Sequence, residues 1–267
     1  MSAETHIAQW LGAHATTAFF VTLATLWLVV IGAWLLLERV ERGRGRGPLP
    51  PERILILRML LGFGIAVGAG MVFAEMVEAL DVSRDMGRFD LALTDALRLH
   101  LSPATLQMFA LVTRLGNVNT LTVLCIVVAV LLLYVSQRRL ALAWVLVVAG
   151  NGALNVLLKT VFERVRPVRE HSLQVSDTGW SFPSGHSSGS VVAYGMLAYV
   201  VMRFVPARWH LPLLLLAASL ALTVGFSRVF LQVHFLSDVL AGFASGLLWL
   251  TICISSTEWL RRNDRPR

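Results

Sequence analysis

Residues 17–37 read TAFFVTLATLWLVVIGAWLLL, a run of 21 residues without a charged side chain. A helix needs about 20 mostly apolar residues to cross the hydrocarbon core of a bilayer, so this run is long enough to span one. Six further runs are similarly apolar, which makes seven predicted spans: 17–37, 57–77, 118–135, 140–158, 188–205, 211–226 and 239–255. The predicted fold class is therefore an all-α, polytopic membrane helical bundle.

The overall composition also favours a membrane protein over a soluble one. Of the 267 residues, 56% are apolar and 15% charged, and the mean hydropathy is +0.70. A soluble domain has roughly 45–50% apolar and 25% charged residues, and its core does not bury so many uninterrupted apolar runs. The first run lacks the basic start of a signal peptide and is too long for one, so we expect a retained helix. Cys125 and Cys253 lie inside apolar runs, and we interpret them as core residues without a disulfide or metal.

The net charge of +7 is placed in a way that indicates membrane orientation and argues against nucleic acid as a partner. The basic residues cluster in the loops after the first, third and fifth spans and at the C-terminus. They are Arg39, Arg42, Arg44, Arg46, Arg53, Arg138, Arg139, Arg203, Arg208, Arg261, Arg262, Arg265 and Arg267. With seven spans these clusters share one side, which the positive-inside rule makes cytoplasmic. The sequence thus predicts an inner (plasma) membrane protein with an outer N-terminus and a cytoplasmic C-terminus.

Three longer segments, 81–117, 159–187 and 227–238, then lie on the outer side. In the first, apolar residues recur at helical spacing with charged residues between them, which predicts an amphipathic helix in the membrane interface. The apolar set is Met86, Phe89, Leu93, Leu97 and Leu101, and the charged set is Asp85, Asp90, Asp95 and Arg98. Ser102 followed by Pro103 is typical of the N-cap and first turn of a second helix.

The other two outer segments contain the groups that a phosphate site requires. Lys159, Arg166 and Arg228 supply positive charge, and residues 183–185 precede an apolar helix whose first amides and dipole favour an anion. His234 and Asp238 are four residues apart on one helical face, so the carboxylate can hold one imidazole nitrogen and leave the other to attack.

His186 is then the candidate that protonates the leaving oxygen. Other residues in the region have simpler interpretations. Arg164 by itself is best interpreted as a cation that snorkels to the headgroups, and Asn151 and Asn155 as helix-packing contacts. A metal site is disfavoured because the neighbouring Lys and Arg side chains repel a divalent cation.

Three motifs carry a resemblance to a known family. They are KTVFERVRP (159–167), PSGH (183–186) and SRVFLQVHFLSD (227–238), and they resemble the three phosphatase motifs of the type 2 phosphatidic acid phosphatase (PAP2) family, K-x6-RP, PSGH and SR-x5-H-x3-D. The resemblance covers roughly residues 55–255. It implies a six-helix core, to which this chain adds an N-terminal helix and a basic loop.

The resemblance also implies a role for each matched residue. His234 is the nucleophile that forms a phosphohistidine, Asp238 orients it, and His186 is the general acid. The phosphoryl oxygens are held by Lys159, Arg166, Ser184, Gly185 and Arg228. The family requires no metal, and no cofactor is expected.

We therefore expect an integral membrane lipid phosphatase with residues 1–54 as an extra helix and basic loop, 55–258 as the phosphatase domain and 259–267 as a basic tail. The implied substrates are undecaprenyl pyrophosphate, which we favour, phosphatidylglycerophosphate and phosphatidic acid, cleaved at the outer leaflet. The alternatives are a lipid phosphotransferase with the same site and a lipid-binding or transport protein. The related vanadium haloperoxidases are soluble, so the apolar spans argue against that activity.

Overall fold

The computed structural model describes residues 3–41, 51–81, 84–167 and 179–263. Within these ranges the chain is helical and has no strand, so the all-α prediction is confirmed. The helices are α1 (Ala3–Ala13), α2 (Ala15–Glu41), α3 (Pro51–Glu78), α4 (Asp85–His100), α5 (Pro103–Val112), α6 (Val118–Tyr134), α7 (Arg138–Phe162), α8 (Gly185–Val201), α9 (His210–Phe230) and α10 (Leu236–Asn263). Short 3₁₀ turns at Thr113–Gly116 and Ala207–Trp209 precede α6 and α9.

Each of the seven predicted spans coincides with a helix. In the described part of the chain, five helical stretches are long and apolar enough to cross a membrane alone: Ala15–Glu41, Ile56–Glu78, Arg138–Phe162, Ala207–Phe230 and Leu236–Arg261. A sixth span forms if Pro103–Gly116 and Val118–Tyr134, which meet at 43°, are taken together. The seventh candidate, α8, has 17 residues and a polar first turn. The multi-pass fold is therefore confirmed, and the count of seven stays a prediction.

Helix α8 lies at the centre of the bundle, where two glycines of α10 allow α10 to approach it closely. A Cβ atom on Gly242 would lie 2.6 Å from the carbonyl oxygen of Ser184, and one on Gly246 would lie 2.9 Å from that of Ser188. Two glycines four residues apart let helix backbones meet in this way. The contact brings the start of α10 against the loop that precedes α8, which is where two of the three motifs lie.

The predicted extra N-terminal helix is present as α2, and a second helix, α1, precedes it without having been predicted. Helix α1 packs on α4, and a Cβ atom on Gly12 would lie 2.3 Å from Cβ of Ala96. Phe19 of α2 joins a buried aromatic cluster with Phe109 and Phe230. The N-terminal part of the chain is therefore packed against the rest of the helical bundle.

The predicted domain limits fall inside continuous helices. Helix α3 already begins at Pro51, and α10 continues to Asn263, so neither 54/55 nor 258/259 is a break in secondary structure. Most of the predicted basic loop (residues 42–50) and the end of the basic tail (264–267) lie outside the described residues. The three-part division stays a prediction.

Helices α4 and α5 form where the sequence predicts them. Ser102 caps α5, with its Oγ accepting a hydrogen bond from the Thr105 amide (3.1 Å), and Pro103 occupies the first turn. Helix α4 buries Leu93 and Leu97 as expected. Asp90 departs from the prediction, because it is only 1% exposed and therefore does not belong to a solvated face.

Candidate active site

The loop before α8 is fastened to α10 through Ser184. As the N-cap of α8, Ser184 accepts hydrogen bonds at Oγ from the Ser187 amide (3.4 Å) and hydroxyl (3.0 Å). Its own amide donates to the carbonyl oxygen of Asp238 (2.9 Å), so this amide is not among those that could bind an anion. The Ser184 hydroxyl hydrogen stays available. Gly185 and His186 supply the first amides of α8, and these have no acceptor among the residues that the structure describes.

Gly185 is required for close packing against α7. A Cβ atom at this position would lie 2.8 Å from Oδ1 of Asn155. The Asn155 amide group donates to the carbonyl oxygen of Pro183 and to Oγ of Ser188, each at 3.4 Å. The interpretation of Asn155 as a contact between helices is confirmed, and the contact holds the loop that carries the PSGH motif.

His234 and Asp238 meet as their spacing predicts. His234 lies in the turn between α9 and α10, two residues before α10 begins, and not in its first turn as expected. Its Nδ1 is 3.3 Å from Oδ2 of Asp238. The same oxygen accepts hydrogen bonds from Oγ of Ser181 (2.5 Å) and from the Phe235 amide (2.9 Å). Both members of the pair are buried, with exposures of 2% and 0%.

Arg166 contacts the other side of the His234 ring. Its Nη1 lies 3.1 Å from Nε2 of His234 and also donates to the carbonyl oxygen of Val233 (2.9 Å). A guanidinium group can only donate, so Nε2 is the acceptor and Nδ1 carries the ring proton. Burial lowers the pKa of His234 well below its ordinary value, a shift that Asp238 opposes and that Arg166 and Arg228 reinforce. The ring is therefore neutral, with its lone pair on Nε2.

The two other predicted phosphate-binding cations lie in the same region. Lys159, in the last turn of α7, donates to the carbonyl oxygen of Trp180, which also accepts from Nη2 of Arg166 (3.3 Å). Arg228 is completely buried in α9, and its Nη1 donates to Oγ1 of Thr113 (2.8 Å). The charge of Arg228 acts on both Lys159 and His234. Arg166 therefore contacts the unprotonated nitrogen of His234, the charge of Arg228 acts on the same ring, and Lys159 shares a carbonyl acceptor with Arg166.

His186 is held by Asn117, the residue between the 3₁₀ turn and α6. Its Nε2 lies 2.7 Å from Oδ1 of Asn117, and because an amide oxygen can only accept, Nε2 is the donor. A Cβ atom on Gly116 would lie 3.1 Å from the His186 ring, so a glycine there lets the turn approach. The bond leaves Nδ1 as the ring nitrogen that can transfer a proton.

The interpretation of Arg164 as a snorkelling cation is wrong. Its side chain is only 10% exposed and forms ion pairs with Asp238 (2.7 Å) and with Asp90 of α4 (3.1 Å). Two buried carboxylates hold it in the protein interior, where a guanidinium group is stable only when it is paired.

Several residues at the site were not identified from the sequence. For Asp90 a signal was present, because it lies four residues after Met86 and three before Leu93, in phase with the apolar stripe of α4. For Asn117, Thr113 and Ser181 there was none, since each is an ordinary turn or loop residue until the fold brings it to its partner.

The described residues contain no group of three His, Cys, Asp or Glu side chains arranged to hold a metal ion. The expectation of a metal-independent site stays a prediction.

A sequence profile of the PAP2 superfamily matches residues 140–262, the region that contains all eight predicted site residues. Phosphatidylglycerophosphatase B of Bacillus subtilis is 31% identical over 175 residues, which cover 65% of this chain and 85% of that protein. The chain belongs to the PAP2 superfamily. The undecaprenyl-diphosphatase of Sulfolobus acidocaldarius is a second relative, 28% identical over 145 residues that cover 52% of this chain and 66% of that protein.

The fold of this PAP2 protein also has a counterpart of known structure. A crystal structure of a transmembrane PAP2-type phosphatidylglycerolphosphate phosphatase from Bacillus subtilis superimposes with a TM-score of 0.67, at 29% identity, over 76% of this chain and 98% of that one. The predicted family, the polytopic membrane fold and the phosphatase class of hydrolase are confirmed.

Proposed function

We propose that this PAP2 protein hydrolyses the phosphate or diphosphate headgroup of a membrane lipid at the outer leaflet, through a phosphohistidine formed on Nε2 of His234. The observation that carries the proposal is the orientation of the His234 ring. Nδ1 faces Asp238, and Nε2 accepts a hydrogen bond from Arg166 at 3.1 Å. The nucleophilic lone pair is therefore directed at a cation that can also bind a phosphoryl oxygen.

In the first step Nε2 of His234 attacks phosphorus. The N–P bond forms while the bond from phosphorus to the leaving oxygen breaks, and protonated His186 gives its proton to that oxygen. Asp238 stabilises the positive charge that the imidazole acquires. The phosphoryl oxygens bind Lys159, Arg166 and Arg228, whose charge is in place before the reaction begins.

In the second step water attacks the phosphohistidine. Neutral His186 takes a proton from the water, a P–O bond forms, and the N–P bond breaks to restore the His234 lone pair. Inorganic phosphate then leaves. The amides of Gly185 and His186 and the hydroxyl group of Ser184 can donate to the phosphoryl oxygens in both steps.

The relatives support a lipid substrate. The more similar one is named a phosphatidylglycerophosphatase and the other an undecaprenyl-diphosphatase, so phosphatidylglycerophosphate is the first substrate to test and undecaprenyl pyrophosphate the second. Phosphatidic acid is the third. In each case the lipid tails remain in the bilayer while the headgroup enters the polar site.

The outer location is supported by the separation of charge along the bundle. The site is formed at the end of the bundle where α7 and α9 terminate and α8 and α10 begin. Arg138, Arg203 and Arg208 lie at the opposite helix ends, which the positive-inside rule assigns to the cytoplasm. We therefore propose an inner-membrane protein with a cytoplasmic C-terminus.

A lipid panel tests the function. Purified enzyme in detergent is given phosphatidylglycerophosphate, undecaprenyl pyrophosphate and phosphatidic acid, and both inorganic phosphate and the lipid product are measured, with His234→Ala as the blank. Phosphate released in step with substrate loss supports hydrolysis. A labelled phosphoryl group that appears on a second lipid without free phosphate would make the protein a phosphotransferase. Binding without turnover of any lipid would favour a lipid-binding or transport role.

A further inference from the structure

A buried series of charged side chains connects α4 to His234 through two residues that the proposed reaction does not use. Arg164 lies just after α7, where its Nη1 donates to Oδ1 of Asp238 (2.7 Å) and its Nη2 to Oδ2 of Asp90 (3.1 Å). The side chains of both aspartates are 0% exposed. Asp238 therefore faces His234 with one oxygen and Arg164 with the other.

Arg164 is fixed by further contacts. Nη1 also donates to Oγ of Ser237 (2.6 Å), and Nη2 to the carbonyl oxygen of Ala79 (3.1 Å). Its guanidinium carbon lies 4.4 Å from the centre of the Phe235 ring. A planar donor with this many partners has a single orientation, so the Asp238 oxygen that it binds is fixed as well.

Asp90 holds the same region from α4. Its Oδ1 accepts a hydrogen bond from the Ser237 amide (3.2 Å), and its Oδ2 accepts one from the Ser237 hydroxyl group. Ser237 is the residue directly before Asp238, so Asp90 acts on Asp238 through the backbone as well as through Arg164. Helix α4 thereby determines how α10 presents its catalytic carboxylate.

The charges of Asp90, Arg164 and Asp238 together act on the His234 ring. Arg164 alone would neutralise Asp238, and a neutral pair would give little support to an imidazole that becomes positive when it is phosphorylated. With Asp90 included, this cluster has two negative charges and one positive charge, which leaves one net negative charge on the Nδ1 side of the His234 ring, opposite Arg166. Such a cluster is costly to bury, and anchoring α4 would not by itself require it to contact Asp238.

We propose that Asp90 and Arg164 are positioning residues of the phosphatase reaction: they orient the Asp238 carboxylate toward Nδ1 of His234 and keep its negative charge available to the phosphorylated ring. This inference rests on the proposed role of His234 as nucleophile. If the pair merely stabilised the fold, its loss would lower the melting temperature and leave the rate of folded enzyme unchanged.

The first test is Asp90→Asn, with Asp95→Asn as the matched control. Asp95 is on the same helix and its side chain is 73% exposed. We expect Asp90→Asn to lower kcat, and the single-turnover rate of phosphoenzyme formation, by about 10- to 100-fold, the range for a catalytic group displaced slightly from its working geometry. KM and the Kd for inorganic phosphate should not change, since the phosphate-binding cations remain. A kcat per folded enzyme equal to that of Asp95→Asn would overturn the proposal.

The second test, Arg164→Lys, retains the charge and removes the planar fork that bridges the two carboxylates. We expect a similar loss in kcat with unchanged KM, whereas Arg88→Lys, in an exposed ion pair on α4, should behave as wild type. If Asp90→Asn does not fold, Arg164→Lys tests the proposal in its place. A wild-type kcat for Arg164→Lys would overturn the proposal.

His234→Ala distinguishes a failure of the positioning role from a failure of the proposed function. If His234→Ala is inactive and Asp90→Asn turns over at the wild-type rate, only the positioning role fails. If His234→Ala still turns over, the proposed function fails and the positioning role fails with it.

Discussion

Arg166 donates a hydrogen bond from Nη1 to Nε2 of His234 at 3.1 Å, so the nitrogen proposed to attack phosphorus is covered by a group proposed to bind phosphate. A phosphoryl oxygen that enters the site competes with the imidazole for this donor. We therefore expect substrate binding to release the lone pair of Nε2 where it meets phosphorus. Without substrate, the same bond keeps the neutral ring in one tautomer.

His234→Ala should lower kcat by more than about 10,000-fold, because among the described residues His234 has the ring nitrogen that faces Arg166, and His186 is assigned to the leaving oxygen. The protein should remain folded, since alanine leaves the Asp238–Arg164 contact in place. Rapid mixing with labelled substrate and quenching in base should trap an acid-labile phosphoenzyme in wild type. His100→Ala, an exposed histidine on the same side of the bundle, is the control. Equal trapping in His234→Ala would mean that another residue is the nucleophile.

The effect of His186→Ala should depend on the leaving group. A lipid alkoxide needs a proton to leave, so the rate on a lipid phosphomonoester should fall by about 100- to 10,000-fold. Hydrolysis of p-nitrophenyl phosphate should fall far less, with a lipid diphosphate in between. Asn117→Ala should give the same order with smaller losses, because it removes the acceptor that holds Nε2 of His186. Equal losses on all substrates would show that His186 only binds phosphate.

The pH dependence of kcat should be bell-shaped, with an acid limb set by His234 and an alkaline limb set by His186, because kcat reports the substrate complex, in which a bound phosphate dianion favours the protonated His186 ring. Burial lowers the pKa of His234 below its ordinary 6.5, so the ring stays neutral and the acid limb lies below that pH. Between pH 6.5 and this lower pKa the unfolded chain binds a proton that the folded chain does not. The contribution of His234 to stability is therefore full above pH 6.5 and lost as the pH falls. An acid limb above pH 6.5 would contradict the assignment.

Chelators should not inhibit the enzyme. Lys159, Arg166 and Arg228 already provide the positive charge that transferring phosphoryl oxygens require. Activity measured after dialysis against EDTA should match that of untreated enzyme within the error of the assay. Loss of activity that added magnesium restores would establish a required metal.

The active site should face away from the cytoplasm. In a background with Cys125 and Cys253 replaced by Ala, Asp85→Cys on α4 should react with an impermeant thiol reagent in intact cells, and Arg139→Cys at the start of α7 should not. Both native side chains are exposed, so accessibility within the protein does not limit either reaction. Labelling of Arg139→Cys alone would reverse the proposed topology.

Features that depend on neighbours in sequence could be predicted from the sequence alone. The apolar runs determine the helices because a spanning helix satisfies its own backbone hydrogen bonds in lipid. Ser102 and Pro103 determine the start of α5 through local capping. The spacing of His234 and Asp238 makes their contact a local one, so it is present even though His234 lies just before the helix.

Which residues contact and support the proposed catalytic groups became visible only in the tertiary structure. Arg164 and Asp90 are 74 positions apart, His186 and Asn117 are 69 apart, and Arg228 and Thr113 are 115 apart. The position of Asp90 on the apolar face of α4 could be recognised from its spacing, but its partner could not. Which side chain contacts Asp90 depends on how α4, α10 and the segment after α7 pack together. That packing results from the close approach of whole helices, and no local sequence pattern predicts it.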